Sequence, residues 1–226
     1  MNKYSILIPI HNEIKIIPTL LKDLEPYVIE GHEVIIIDDG SSDGSSELLK
    51  ADNKFNLICI AKNKGKGFAI RKGLEEAANN KIIIFDGDME LHTSDISKLM
   101  FLNEENGIRA IMGYRYRSLN PFKSNFEWGN FMFTSFFNIL FQTNHKDILC
   151  CAKAFYIDNI KIQDIKSRGF DIDVELSSVL TIVNKKSIIP QVAMKYDRRD
   201  VTQGKKLKVS DGWIILERVL MMIKYF

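Results

Sequence analysis

Four short apolar runs, rich in β-branched residues, alternate with helix-periodic segments along the first half of the chain. The runs are Tyr4–Ile10, Glu33–Ile37, Leu57–Ala61 and Lys81–Phe85. The helix-periodic segments between them are Ile14–Leu24, Asp43–Leu49 and Gly67–Ala78. Continuous apolar runs, as opposed to strict apolar–polar alternation, are typical of strands covered on both faces. The pattern predicts an α/β domain, with a doubly wound, mostly parallel sheet and helices on both faces.

The second half of the chain is less regular. Arg109–Tyr114 and Ser187–Met194 are strand-like, whereas Asn125–Gln142 and Ile172–Asn184 are helical or apolar. No linker, internal repeat or low-complexity tract divides the 226 residues. We therefore predict a single domain with two halves, a Rossmann-like half at residues 1–115 and a less regular half at residues 116–226.

Charge and cysteine content exclude several classes of protein. The formal net charge of +2 is too small to indicate nucleic-acid binding through bulk charge. The three cysteines are Cys59, Cys150 and Cys151, and they form no CxxC pair, so neither a disulfide framework nor a zinc site is predicted. A reducing, cytoplasmic setting is the prediction that fits this cysteine usage.

Two apolar segments in the second half indicate contact with a membrane surface. They are Asn130–Thr143, which holds five phenylalanines, and Trp213–Phe226. No stretch reaches the ~18 apolar residues that a transmembrane helix needs, but each segment is long enough for an amphipathic helix lying on a bilayer. A core helix or an interface with a second copy of the chain explains the same pattern, and both alternatives remain open.

Polar residues follow all four runs of the first half. The first run leads to His11 and Glu13, the second to Asp39, the third to a basic glycine-rich loop at residues 63–67, and the fourth to Asp86-Gly87-Asp88. In open α/β sheets, ligands bind beyond the carboxyl ends of the strands. Any one of these turns is unremarkable, but four at one edge predict a binding site.

The Asp86-Gly87-Asp88 motif is the centre of that predicted site. A lone DxD is more often a solvated acidic turn, but its position after an apolar strand favours a metal site. Two carboxylates one residue apart suit a hard divalent cation, Mg²⁺ or Mn²⁺, that keeps positions open for substrate phosphates. Glu90 is a candidate third oxygen ligand.

The loops after the second and third runs have the composition of a nucleotide site. Asp39 is placed to accept hydrogen bonds from a ribose or a base, whereas Asp43 is predicted to be a structural helix cap. The loop at residues 63–67 opens a helix, so its amides and Lys66 are candidates for binding a diphosphate. It lacks the Walker spacing, and no GxGxxG follows the first strand, which argues against ATPases and dinucleotide oxidoreductases.

Seven stretches resemble, in order, those of a known enzyme family. They are ILIPIHNE, VIIIDDGSSDGS, NKGKGFAIRKG, IIIFDGDME, MGYRY, DILCCAKAF and RGFDIDVEL, and they run through about three quarters of the chain. The chain resembles the family 2 glycosyltransferases of the metal-dependent, nucleotide-sugar type, which have the GT-A fold. Within them it is most similar to the dolichyl- or polyprenyl-phosphate sugar synthases.

The resemblance implies that residues 1–115 bind the nucleotide-sugar and the metal and that residues 116–226 bind the acceptor. It also implies roles for particular residues. It implies a nucleotide-sugar pocket lined by Pro9, His11, Glu13, Asp39, Lys66, Asp86, Arg199 and Lys205. It implies metal ligation by Asp86, Asp88 and Glu90, where relatives often carry glutamine at the last position. It implies catalytic positions at Asp88, Arg115 and Asp173, with Arg115 meeting an acceptor phosphate and Asp173 near the sugar or acceptor. Arg199 and Lys205 lie in a basic stretch that the resemblance places over the diphosphates.

The resemblance also implies substrates and a course of reaction. The donor would be a UDP- or GDP-sugar, the acceptor a polyprenyl phosphate at the cytoplasmic face of a membrane, and the displacement inverting. A sugar hydroxyl is the alternative acceptor, and it would need Asp173 as a base. Two departures bear on the acceptor: Lys123-Ser124-Asn125 replaces an Arg/Ser pair, and Cys150-Cys151-Ala152 replaces Ser-Gly-Phe. A nucleotidyltransferase and a non-catalytic nucleotide-sugar binding module are the remaining alternatives.

Overall fold

A mixed β-sheet forms the centre of the molecule in the computed structural model, which describes residues 3–115, 125–199 and 211–226. Its strands are β1 (Tyr4–Ile10), β2 (Glu33–Asp38), β3 (Asn56–Cys59), β4 (Lys81–Ile84), β5 (Ala110–Tyr114), β6 (Lys153–Tyr156) and β7 (Gln191–Ala193). The α-helices are α1 (Ile17–Ile29), α2 (Ser45–Lys50), α3 (Lys66–Glu76), α4 (Asn125–Phe141), α5 (Ile172–Val183) and α6 (Asp211–Met222). The strand–helix alternation of the first half is therefore confirmed.

The strand order places the polar strand ends at one edge. The order is β3-β2-β1-β4-β6-β5-β7, and each pairing is parallel except those of β6, which runs antiparallel between β4 and β5. Because two antiparallel pairings restore the direction, β5 runs the same way as β4 and β1. The carboxyl ends of β3, β2, β1 and β4 consequently meet at the same edge of a mixed α/β sheet, as predicted, and the end of β5 lies at that edge too.

Two departures from the sequence prediction, a later helix start and an additional strand, have local reasons. Helix α1 begins three residues later than predicted, because Glu13 O accepts hydrogen bonds from Ile16 N and Ile17 N and forms a turn first. Strand β6 was missed, although it lies within the DILCCAKAF stretch. Its four residues are all buried, including Lys153, so it shows no alternation that would have predicted a strand.

Helices α4 and α6 each have a buried face and an exposed face. The buried face belongs to a separate apolar cluster that contains Phe137, Phe141, Ile148, Val174, Ile215, Val219 and Met222. The rings of Phe137 and Phe141 stack with centroids 4.2 Å apart. The alternative that these two segments pack in the core is thus right for one face of each helix. None of the described helices is long and apolar enough to cross a membrane.

Candidate active site

The loop after β2 binds the basic loop after β3. The Asp39 carboxylate accepts hydrogen bonds from Lys64 N at 2.9 Å and Gly65 N at 2.7 Å, and Asp39 N donates to Ile10 O. Gly40 has φ +68°, and a Cβ there would lie 2.5 Å from Asn63 N. Only glycine allows the two loops to approach this closely. Asp39 therefore fixes the basic loop at the carboxyl ends of β1 and β2.

Asp43 is structural, as the sequence predicts, but it is not the helix cap: the N-cap residue of α2 is Gly44, and Asp43 lies one residue before it. Its carboxylate accepts hydrogen bonds from Ile14 N and Ser45 N, each at 3.0 Å. These bonds tie the loop after β1 to the start of α2. The side chain does not line the central cavity described below.

Lys66 joins two carboxylates in the middle of the site. Its Nζ lies 2.8 Å from Asp86 Oδ2 and 2.8 Å from Asp173 Oδ2. Burial alone would lower the pKa of Lys66, but Asp173 and Asp86 outweigh it and raise that pKa well above its usual value. Lys66 is therefore a permanent cation at this point, and it links the end of β4 to α5.

Asp86 and Asp173 each keep one oxygen available. Among the described residues, nothing donates a hydrogen bond to Asp86 Oδ1 or Asp173 Oδ1, although both atoms are buried. Both side chains line the same cavity. Buried polar atoms are normally satisfied, so these two oxygens point to a ligand.

Arg199 reaches across the cavity to a second group of acids. Its guanidinium forms two bonds with the Glu13 carboxylate, at 2.8 and 3.1 Å, and its Nη2 lies 3.4 Å from Asp88 Oδ2. Arg199 N donates to Glu90 Oε1 at 3.1 Å. Burial, with Glu90 adding repulsion, raises the pKa of Asp88 despite its hydrogen bond from Glu90 N. Asp88 is thus a carboxylate that a nearby cation would stabilise in its charged form.

The acids fit a divalent cation held by two protein carboxylates. Asp86 and Asp88 both line the cavity, and Asp86 Oδ1 is buried without a donor in the described part of the chain. Within residues 3–115, 125–199 and 211–226, no group of three Asp, Glu, His or Cys side chains is arranged to hold a metal ion. The Glu90 carboxylate binds the Arg199 amide instead, so its predicted role as a third ligand stays a prediction.

Arg115 is held at the end of β5 by a fully buried acid. Its Nε lies 2.8 Å from Asp147 Oδ2 and its Nη2 lies 3.0 Å from Asp147 Oδ1. The Tyr196 ring centroid is 5.6 Å from the guanidinium carbon, within cation–π range. Sequence analysis named Arg115 but missed its partner; Asp147 stands in the DILCCAKAF stretch with no local pattern that pairs it with Arg115.

One cavity of about 360 Å³ contains every predicted site residue that the structure describes. These are Pro9, His11, Glu13, Asp39, Lys66, Asp86, Asp88, Glu90, Arg115, Asp173 and Arg199. Lys205 lies outside the described residues. Sequence analysis did not anticipate several other lining residues, among them Asn130, Leu149, Cys151, Tyr196 and Ile215. Asn130 and Ile215 show that α4 and α6 form part of the cavity wall.

The seven-stranded mixed sheet, with an acidic cavity beyond the ends of β1, β2 and β4, is the α/β GT-A fold. Residues 5–163 match the family described as "Glycosyl transferase family 2", and the chain belongs to that family.

Curated relatives match about half of the chain. An undecaprenyl-phosphate 4-deoxy-4-formamido-L-arabinose transferase of Yersinia pestis (strain Pestoides F) is 33% identical over 113 residues, which is 46% of this chain and 35% of the relative. The same-named protein of Proteus mirabilis is 33% identical over 130 residues, covering 52% of this chain and 38% of the relative. The matches span little more than a third of these relatives' length.

Solved structures share the fold across the chain. A glucosyl-3-phosphoglycerate synthase from Mycobacterium tuberculosis, in complex with Mn²⁺ and UDP-glucose, superposes with a TM-score of 0.76. It covers 99% of this chain and 79% of that chain at 14% identity. A complex of the same synthase with Mn²⁺, UDP and phosphoglyceric acid gives a TM-score of 0.75. At this identity the likeness shows the fold.

Proposed function

We propose that the protein transfers a sugar from a UDP- or GDP-sugar to the phosphate of a polyprenyl phosphate, in a metal-dependent, inverting displacement. One observation carries the proposal: a single cavity is lined by the acids after β4, the basic residues Lys66 and Arg199, and Arg115. These groups match the charges of a nucleoside diphosphate and of a second phosphate. The name of the undecaprenyl-phosphate transferases supports the lipid acceptor.

The donor would lie along the ends of β2, β1 and β4. Asp39 and the residues after β1 are placed for the nucleoside, and Lys66 lies next to the acids at the end of β4. A divalent cation held by Asp86 and Asp88 would neutralise charge on the departing diphosphate. Lys66 and Arg199 are the cations of this chain that would stabilise the same charge. The structural neighbour crystallised with Mn²⁺ and UDP-glucose supports this arrangement.

The acceptor phosphate would lie at Arg115. Strand β5 is two strand spacings from β4 in the sheet, or ~10 Å, which leaves room for a sugar between the donor diphosphate and Arg115. The cavity wall there includes Asn130, Leu149 and Ile215 from α4, the segment before β6, and α6. A phosphate is already ionised at neutral pH, so attack on the sugar requires no strong base.

A sugar hydroxyl is a second candidate acceptor, and Asp173 is the observation that favours it. Burial raises the pKa of the Asp173 carboxyl against the opposing effect of Lys66, and Asp173 Oδ1 is buried without a donor in the described structure. A buried carboxylate with a raised pKa has the properties of a general base. Lys66 would then hold its other oxygen in place.

The exposed faces of α4 and α6 would place the protein on the cytoplasmic surface of a membrane. Trp128, Phe131 and Met132 on α4, and Trp213 and Ile214 on α6, are each more than a third exposed. Large exposed apolar surfaces mark interaction sites. An amphipathic helix pair beside the acceptor end of the cavity would bring Arg115 to a lipid phosphate. A homodimer through these faces is the competing outcome.

The acceptor is tested by offering several compounds with radiolabelled donors. Each reaction would contain a UDP- or GDP-sugar, Mn²⁺ and one acceptor. The acceptors are undecaprenyl phosphate, free sugars and 3-phosphoglycerate. We expect label in the lipid fraction, release of a nucleoside diphosphate, and an inverted anomeric configuration by NMR. Transfer to free sugars alone would establish the hydroxyl acceptor. In a separate reaction with UTP or GTP and a sugar 1-phosphate, release of pyrophosphate would reveal a nucleotidyltransferase. No turnover with any pair would leave a binding module.

A further inference from the structure

Asp147 is a buried carboxylate that accepts five hydrogen bonds from Arg115, Asn130 and Leu149 within the part of the chain that the structure describes. Its side chain has no exposed surface. Oδ2 accepts from Arg115 N and Nε, and Oδ1 accepts from Arg115 Nη2, Asn130 Nδ2 and Leu149 N. Burial would raise the pKa of Asp147, but Arg115 and Asn130 outweigh it and lower that pKa. Asp147 is therefore ionised, and it lies behind the cavity, outside its lining.

This set of bonds restricts the Arg115 side chain. Two carboxylate oxygens hold the Nε–Nη2 edge of the guanidinium, which fixes its plane as well as its position. The Tyr196 ring lies against it at 5.6 Å. The backbone of Arg115 is bonded to the same carboxylate, so main chain and side chain share one anchor. Arg115 thus lines the cavity as a group with a fixed direction.

The anchor also reaches α4. Asn130 Nδ2 lies 2.9 Å from Asp147 Oδ1, and Asn130 Oδ1 accepts from Thr134 Oγ1 at 3.1 Å. All three of these side chains are buried. Asn130 itself lines the cavity. Through Asp147, the end of β5 and the helix beside the acceptor end are held in one arrangement.

We propose that Asp147 is a positioning residue for the acceptor anion: it acts through Arg115, whose guanidinium it aims into the cavity, and Asn130 completes the arrangement. The proposal rests on the proposed function, because it takes Arg115 as the group that binds the acceptor phosphate. It adds a residue that touches no substrate and yet determines acceptor affinity.

The test measures binding on the two sides of the cavity separately. Farnesyl phosphate serves as the acceptor probe, and UDP and GDP, each with Mn²⁺, serve as donor probes, all by isothermal titration of the whole protein. The variants are Arg115→Gln, Asp147→Asn, Asn130→Ala and the double variant Arg115→Gln/Asp147→Asn. The exposed Asp164→Asn is the matched control. Circular dichroism and the thermal midpoint report folding.

We expect Asp147→Asn to weaken farnesyl phosphate binding at least tenfold and Asn130→Ala about threefold, with nucleotide binding unchanged within twofold. In the double variant the Asp147 change should add nothing to the loss caused by Arg115→Gln. Since the double variant leaves no unpaired buried charge, it keeps the test valid even where Asp147→Asn folds poorly. In that case, the affinities for farnesyl phosphate and for nucleotide are compared in Asn130→Ala instead.

Equal losses of farnesyl phosphate and nucleotide affinity, or additive losses in the double variant, would make Asp147 merely structural and overturn the inference. Failure of the proposed function itself would be seen in the wild type and in Arg115→Gln. If wild type does not bind farnesyl phosphate, or Arg115→Gln binds it as wild type does, the acceptor subsite is wrongly placed. The inference then falls with it.

Discussion

The proposed donor side and the proposed acceptor side of the cavity are built in different ways. On the donor side, residues 9–13, 39–44 and 86–90 lie at or just after the end of a buried strand, and short loop contacts such as Asp39 to Gly65 hold them. On the acceptor side, side-chain pairs between distant segments hold the charged groups. Arg115 and Asp147 are 32 residues apart, and Asn130 on α4 donates to the same carboxylate. The donor side therefore depends on local strand ends, and the acceptor side depends on ion pairs.

This contrast predicts that the largest effect on turnover comes from changing Asp86, just after β4. Asp86→Asn keeps the shape of the side chain but removes the charge beside the proposed diphosphate, so we expect turnover to fall by about 100-fold to 1,000-fold. EDTA should abolish turnover of wild type, and Mn²⁺ or Mg²⁺ should restore it. The measurement is steady-state transfer of labelled sugar, with the exposed Asp164→Asn as control. Undiminished turnover in EDTA would remove the metal from the mechanism.

A buried histidine should make the acceptor side sensitive to acid. Burial, with some help from Lys153, lowers the pKa of His145 from 6.5 to about 4, and its Nε2 lies 2.9 Å from Thr181 Oγ1. Below pH 6.5 the unfolded chain takes up a proton that the folded chain refuses until about pH 4. The free energy of unfolding should therefore decrease as pH falls through this window, by about 3 kcal/mol in all.

Urea unfolding at several pH values measures this effect. His145→Gln should flatten the decrease between pH 6.5 and 4, and His92→Gln, at a partly exposed ring, is the reference variant. An unchanged slope in His145→Gln would show that another group causes the acid sensitivity.

Substitutions at two glycines compare a close backbone contact with an open helix surface. Gly67 on α3 lies against residues 167–168, and Gly129 lies on an open surface of α4. A Cβ on Gly67 would lie 2.4 Å from Ser167 O, whereas a Cβ on Gly129 would meet nothing within 4 Å. Gly67→Ala forces α3 away from the 167–168 backbone and should cost about 1–3 kcal/mol of stability. Gly129→Ala, inside α4, should stabilise by up to about 1 kcal/mol because alanine favours helix. Urea denaturation of both variants checks the difference, and equal effects would contradict the close contact.

The smallest effect on stability is expected at the exposed face of α6. Trp213 and Ile214 are 77% and 52% exposed, so changing both to Gln should alter the free energy of unfolding by less than about 0.5 kcal/mol. Under the proposed membrane role, the same change should prevent flotation with anionic liposomes at low salt.

Ile29→Gln is the matched control, because Ile29 is 78% exposed on α1, a helix that contributes nothing to the apolar cluster of α4 and α6. It should leave flotation unchanged. Wild type that does not float would remove the membrane role, and dissociation of a dimer by the α6 change would identify a subunit interface.

The same contrast explains which parts of the site could be predicted from the sequence. The residues after β1, β2 and β4 were found because a buried strand is visible as an apolar run, and its carboxyl end is marked by polar residues and glycine. Arg115 and Asp173 were named only through a family resemblance. Asp147 and Asn130 were missed, because a buried ion pair between residues 32 positions apart has no local pattern.

Sequence alone determined the fold class, the edge at which the cavity lies, and the residues at the strand ends that line it, because strand periodicity and strand-end composition are local properties. Only the tertiary structure decided the place of β6 between β4 and β5, since a fully buried four-residue strand has no alternation to show. It also decided the partners of the charged groups: Lys66 lies between Asp86 and Asp173, Arg199 faces Glu13, and Asp147 holds Arg115. Long-range ion pairs depend on how distant segments pack, and that information is spread over the whole chain.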